Sequence, residues 1–414
     1  MLPSSTLTGL AAVAIAALLA VPASALAQST SNRNPVAHAA TAHRHATKAH
    51  RSARCRVKHH KRHCVKAHKA SRKRAHASRA RKHTNPPAPA PKPPTQAPAP
   101  SNPAGPVQAP VLTITGTAYY VSASGSDSNS GTSPSSAWRT VQRVDRASLQ
   151  PGDGVLFEGG ATFSDEVLMP GASGASGSPI IFESYGQGNA ALPRGVWFRG
   201  HNHLAFEHLT IGPEGELQGT GEDVTIEWCT IGNDSLAINA AAGSSNSNNT
   251  NWTIDDNTID HTGNSGMLLE GENFTVTGNT ITNTGLDASI PYGKHGIYLK
   301  VANATVTDNA IANFSEDGIS VRYRNSTVAD NYISGGPIGI AWFQYDSIAG
   351  TSHWTGNTIV ETTAAGFYVS PSDIGGSTRE SFAIENNTIQ PAGGVFMNLK
   401  PTTGSYTVQN NTQI

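Results

Sequence analysis

Residues 273–285 read NFTVTGNTITNTG, and residues 352–366 read SHWTGNTIVETTAAG. The shared TGNTI belongs to a longer series: DDNTI at Asn257, TGNTI at Asn279, TDNAI at Asn309, ADNYI at Asn331, TGNTI at Asn357, ENNTI at Asn387 and QNNTQ at Asn411, with spacings of 22, 30, 22, 26, 30 and 24 residues. Earlier, FEHLTI and IEWCTI put His208 and Cys229 in the same slot. A period of twenty to thirty residues marks a solenoid, because one such unit cannot bury its apolar face alone and must stack on its neighbours. Asn suits a recurring corner: its side chain tolerates left-handed backbone and its amide can hydrogen-bond along a stack of identical amides. In that ladder Cys229 reads as a small core-compatible residue and not as a nucleophile.

A glycine follows each Asn, in SGMLLEG at Gly266, HGIYLKV at Gly296, DGISVRY at Gly318, IGIAWFQ at Gly339, AGFYVSP at Gly366 and GGVFMNL at Gly394. The pieces between are short, β-branched and alternating, which predicts brief strands and no helix. Each unit is therefore strand, Asn corner, strand, variable loop, Gly, strand. The fold class is all-β, a parallel β-solenoid over residues 113–414.

The rest of the chain is of another kind. Of 414 residues, none before Asp127 is acidic, while 18 of the 29 Lys and Arg stand at or before Lys92; the remainder carries 11 basic against 29 acidic residues. Residues 1–27 read as a secretory signal, with an apolar run over 10–21 and the small-residue pattern Ala25-Leu26-Ala27, which leaves no membrane span once it is cleaved. Residues 28–84 hold 17 basic side chains and 10 of the 16 His; without apolar periodicity they are expected to be disordered and to meet a polyanionic cell-envelope polymer. Residues 85–112 form a stiff Pro-rich spacer. Cys55 and Cys64 flank a short basic loop that an oxidising compartment could close. The expectation is a secreted protein, associated with the cell wall through its tail and acting as a monomer.

From about Thr117 onward the repeat resembles the right-handed parallel β-helix of the pectin-lyase-like superfamily. The stretches YYVSASGSDSNSGTSPSSAWRTVQRV (119–144), LQPGDGVLFEGGATF (149–163) and SGSPIIFESYGQG (176–188) resemble the capping region of secreted bacterial β-helix proteins, many of them polysaccharide lyases. A fold of this kind hosts many chemistries.

Counting from each Gly, the first and third residues are apolar and face the core, so the second and fourth face outward. The fourth column reads Glu270, Lys300, Arg322, Phe343, Ser370 and Asn398, and the second reads Leu268, Tyr298, Ser320, Ala341, Tyr368 and Phe396. Asn and Gly are seven to nine residues apart on five coils and 17 apart between Asn279 and Gly296. That insertion would overhang the same face and deliver Tyr292, Lys294 and His295. β-Elimination from an acidic polysaccharide needs a cation on the carboxylate, a base for the adjacent proton and an acid for the leaving oxygen.

VRYRNSTVADNYISGG (321–336) is similar to the Arg-bearing strand of the chondroitinase B and alginate lyase family. The resemblance implies Lys300 as base and Arg322 as acid or charge-stabilising partner. It also implies calcium beside the Lys, yet YGKHGIYLK (292–300) carries no carboxylate. The ion would then fall to Glu270, Asp287 or Asp317, or the site is metal-free. A His295–Tyr298 acid–base pair, as in uronate epimerases, is the other arrangement. Tyr292, Lys294, Tyr323 and Tyr368 are the expected substrate contacts. The expected function is a polysaccharide lyase or epimerase acting on a uronic-acid polysaccharide. The alternative is a non-catalytic glycan-binding surface protein anchored by its cationic tail.

Overall fold

Each corner of the repeat is turned by a left-handed residue that stands one place before the ladder Asn. In the computed structural model, which describes residues 113–233, 235–241, 249–345, 348–370 and 379–414, Asp256, Gly278, Asp308, Asp330, Gly356, Asn386 and Asn410 have φ between 50° and 69°. This corrects the expectation that the ladder Asn itself adopts that conformation. Asp, Asn and Gly enter left-handed backbone at least cost, which frees the following Asn to bond to the next coil. From Asn257 to Asn411 each Asn backbone N–H donates to the next Asn Oδ1 at 2.9–3.1 Å. Each Nδ2 also caps a carbonyl of the preceding coil, as Asn279 does to Ile254 at 2.9 Å and Asn309 to Val276 at 2.9 Å.

Cys229 closes the N-terminal end of this ladder. Its N–H donates to Asn257 Oδ1 at 2.9 Å, and its thiol is 1% exposed and faces the Phe206 carbonyl at 3.5 Å. Burial pushes the thiol up to about 12, so it is no nucleophile at neutral pH. One coil earlier the pairing of Thr210 with Thr230 puts Leu209 in the slot, not His208 as the motif suggested. His208 and Trp228 take the left-handed place instead, both at φ 52°.

Successive coils add one strand to each of three parallel sheets, which hold twelve, ten and nine strands among the described residues. One coil shows the pattern: Thr275–Thr277, the Gly278–Asn279 corner, Thr280–Thr284, the insertion, then Ile297–Ala302. Inside run columns of fully buried residues such as Val276, Ile281 and Leu299, and stacked rings such as Trp252 on Phe274 at 5.3 Å. The glycine column exists because coils touch there. A Cβ on Gly296 would stand 2.5 Å from Ile311 Cγ2 and 2.6 Å from the Gly318 carbonyl oxygen. At the N-terminal end the strand Ala118–Val121 and the short helix Val141–Asp145 cover the core, with Val141 and Val144 buried and Tyr119 stacked on Trp138 at 4.7 Å.

Residues 1–112 lie outside the described residues, and with them the expected signal, basic tail, spacer, Cys55 and Cys64. Among the described residues no helix is long and apolar enough to cross a membrane.

On the outer face of the twelve-strand sheet Glu183, Glu207, Glu227 and Asp255 pair in register on four successive strands. Glu207 is 4% and Glu227 3% exposed. Burial first, and the adjoining carboxylates second, push Glu207 and Glu227 up to about 7 and Asp255 up to about 6. Carboxyls raised on folding bind protons more tightly folded than unfolded. Their stabilisation is complete below about pH 4 and is lost as pH rises through about 7. Thermal unfolding of the chain should come at a lower temperature at about pH 8 than at about pH 5, and Glu227→Gln should flatten that slope. A midpoint that climbs over this range would contradict the assignment.

Candidate functional site

The nine-strand sheet presents its outer face to the insertion. Pairing of Glu270 with Lys300 and of Leu299 with Val321 puts Glu270, Lys300 and Arg322 on one wall of three consecutive coils, as their spacing in the sequence required. Lys300 Nζ stands 3.9 Å from Glu270 Oε2. Tyr298 lies between the two cations, with Lys300 Nζ 5.1 Å and Arg322 Cζ 4.9 Å from its ring centroid. Arg322 also lies 4.3 Å from the Phe343 ring, which packs on Tyr368 at 5.5 Å.

Two details of the expected columns change. Phe367 pairs with Met397, so Phe396 occupies the place assigned to Gly394; the fourth column ends at Lys400 and the second at Asn398. Ser320 and Ala341, expected to face solvent, are fully buried. The larger neighbours Tyr298, Arg322 and Phe343 crowd that part of the wall.

Above this wall opens a cleft of about 660 Å³, lined by Tyr292 and Gly293 of the insertion, His295, Tyr298, Ser315, Glu316, Asp317, Arg322, Pro337, Ile338, Phe343 and Tyr345. Its polar floor comes from the residues just before Gly296 and Gly318. Gly296 N–H donates to the Asp317 carbonyl at 3.0 Å, which sets His295 and Asp317 one coil apart in the same column. His295 is 3% and Asp317 4% exposed. Asp317 N–H donates to His295 Nδ1 at 3.3 Å, Asp317 Oδ2 is 3.2 Å from the same nitrogen, and Glu316 Oε2 is 3.6 Å from Nε2. The imidazole meets the Tyr298 ring edge-on at 4.9 Å. A buried imidazole held between two carboxylates and a backbone donor has one fixed orientation, which is what proton transfer requires.

Glu316 has no counterpart in the sequence reading, and it fastens the insertion. Its Oε2 accepts from Gly293 N–H at 2.9 Å and Lys294 N–H at 3.2 Å, and its own N–H donates to the Lys294 carbonyl at 3.1 Å. Ser265 Oγ donates to the Gly293 carbonyl from the coil below. Tyr292, 80% exposed, stands at the mouth of the cleft as a result. Nothing in the SEDG run (315–318) distinguishes this Glu from a solvated one, since its partners arrive from an insertion more than twenty residues away.

The expected residues therefore divide. His295, Tyr298, Arg322, Tyr292 and Asp317 meet in the cleft. Lys300, Lys294, Tyr323 and Tyr368 do not line it: Lys300 is engaged with Glu270, Lys294 enters through its backbone, and Tyr368 supports Phe343. Glu270, Asp287 and Asp317 do not fit a calcium site. Glu270 faces Lys300, Asp317 faces His295, and Asp287 accepts from the Ser289 N–H of its own loop at 2.8 Å. Among the described residues no cluster of three or more His, Cys, Asp or Glu could hold a metal ion.

A profile of the family described as "Right handed beta helix region" matches residues 287–413. The body folds as a parallel β-helix of three sheets, and the matched region is its C-terminal part. The solved complex of XylC with xylose aligns with this β-helix over 66% of the chain and 70% of its own, at a TM-score of 0.52 and 10% identity, a likeness of fold alone. The GH136 lacto-N-biosidase of Eubacterium ramulus aligns over 72% of this chain and 68% of its own, with a TM-score of 0.44 and 14% identity. Lacto-N-biosidase of Bifidobacterium longum subsp. longum is 39% identical over 85 residues, which are 20% of this chain and 5% of that protein. The chain thus spans only a small fraction of that curated relative's length.

Proposed function

We propose that this β-helix is a secreted enzyme that acts on a uronic-acid polysaccharide by taking the proton beside the carboxylate, as a lyase or an epimerase. What carries this reading is the meeting, in one aromatic-walled cleft, of the His295–Asp317 pair with the Arg322 guanidinium. Sugar rings present apolar C–H faces to Tyr292, Phe343 and Tyr345. Arg322 neutralises the uronate carboxylate, which makes the neighbouring C–H acidic. With a proton on Nδ1 directed to Asp317 Oδ2, in place of the bond from the Asp317 N–H, His295 takes the C–H proton at Nε2 while Asp317 holds the ring. The C–H electron pair forms the new C=C bond, the glycosidic C–O bond breaks, and the Tyr298 hydroxyl protonates the departing oxygen. Return of a proton to the opposite face, without bond cleavage, gives the epimer instead. The basic tail would keep the enzyme on an acidic envelope polymer.

A second reading is glycoside hydrolysis. It is favoured by Glu316 and Asp317 standing in the cleft on either side of His295, since hydrolysis runs on paired carboxyl groups, and by the short match to a lacto-N-biosidase.

Incubation of the full chain with alginate, pectate, chondroitin sulfate and heparin, with and without calcium, separates these. Ultraviolet-absorbing unsaturated ends, or altered uronate stereochemistry, are expected. New reducing ends without such absorbance would support hydrolysis, and binding with neither product would identify a glycan-binding protein with no catalytic role.

A further inference from the structure

The outer wall continues well past the cleft, and its register is unbroken: Trp197, Gln218, Asn239, Leu268 and Tyr298 are paired strand to strand, one outward side chain per coil. All five are half-buried, so each keeps part of its side chain accessible along this wall. Trp197 therefore stands four strand spacings, roughly 19 Å, from Tyr298. Two residues after each ring comes a cation that lies over it. Arg199 Cζ is 3.6 Å from the Trp197 ring centroid, as Lys300 Nζ is 5.1 Å from that of Tyr298. Between them the floor carries Gln218, Asn239 and Leu268, with Asn239 Nδ2 donating to Glu216 Oε1 at 3.3 Å.

Arg199 is exposed and has φ 37°. Most left-handed corners of this chain use Asn, Asp or Gly, and a long side chain there costs conformational energy that the fold does not require. A guanidinium stacked on an indole suits an anionic pyranose: the carboxylate can take two hydrogen bonds from the guanidinium while the sugar's apolar face packs on the exposed part of the pair.

We infer that Trp197 and Arg199 form a distal subsite for the same acidic glycan chain, which lies along the helix axis with one residue in the cleft and another over Trp197. This rests on the reading of the cleft as a uronide site, and it deepens that reading: the enzyme would be selective for long polymers and poor on short ones.

Titration calorimetry of the full chain with alginate- and pectate-derived oligouronides of two to eight residues tests it. The basic tail is the same in every variant, so differences between variants report the wall. Octamer affinity should fall about tenfold in Trp197→Ala, the size of one lost ring contact, and similarly in Arg199→Ala, with dimer affinity unchanged. Trp197→Phe should retain most of it. Arg322→Ala should weaken dimer and octamer alike. Equal octamer affinity in wild type and Trp197→Ala, or equal losses at both lengths, would overturn the subsite. Insensitivity to Arg322→Ala with the Trp197 length effect intact would remove the cleft reading and leave the subsite standing.

Discussion

Replacement of His295 by Ala should lower turnover of the active polymer by about 10²–10⁴-fold, the usual contribution of a positioned acid–base group. The effect should fall on kcat, because the walls that hold the sugar, Tyr292, Phe343 and Tyr345, are left in place. Since His295 is buried against Asp317, its removal also strands the Asp317 N–H and carboxylate, and some stability is lost with it. Asp317→Asn supplies the control: it keeps the volume and removes only the charge that orients the ring, so a smaller loss of kcat with near-native stability is expected. Lys300→Ala separates the two candidate bases. With its ammonium engaged by Glu270 and outside the lining of the cleft, its loss should cost less than about tenfold in kcat/KM. Full turnover in His295→Ala, or a larger defect in Lys300→Ala, would return the base role to Lys300.

Asn309→Ala should destabilise the β-helix by about 3–5 kcal/mol, near the upper limit for a single substitution. Asn309 is 1% exposed. Its Oδ1 accepts from both the N–H and the Nδ2 of Asn279, and its Nδ2 reaches the Val276 and Thr307 carbonyls and Asn331 Oδ1. Alanine leaves those groups buried without partners, each costing about 1–3 kcal/mol where no water enters. The outer ladder supplies the contrast. Asn303 donates to Asn273 Oδ1 at 3.1 Å in solvent, and its φ of 58° is what its place demands. Asn303→Gly should therefore change stability by no more than about 0.5 kcal/mol. Urea unfolding measures both, and a cost under about 1 kcal/mol for Asn309→Ala would show that the inner ladder is decorative.

The ladder was legible because the same constraint is imposed on every coil. Seven Asn at near-regular spacing, each preceded by Asp, Gly or Asn, spell out both the bond and the left-handed corner. The one-place error at His208 arose where the slot residue is Leu and no amide marks it. The wall was legible for a similar reason, since alternation fixes which side chains face outward, and Glu270, Lys300 and Arg322 fall in line. The slip at Gly394 came because Phe396, and no glycine, stands in that slot, so the glycine run just before it drew the count two places early. The carboxylate column is written openly as Phe-Glu, Phe-Glu, Ile-Glu and Ile-Asp at 182–183, 206–207, 226–227 and 254–255, and only its burial needed the fold.

The sequence by itself determined the solenoid, its corners and the charged groups that share a wall, because these follow from periodic rules that act on neighbours one coil apart. Only the tertiary structure decided which of those groups meet. It paired Lys300 with Glu270, drew His295 between Glu316 and Asp317, and tied the insertion down so that a cleft opens over Arg322. Those outcomes depend on where an irregular loop closes and which side chains it covers, and a loop without a repeat leaves no period in the sequence to read.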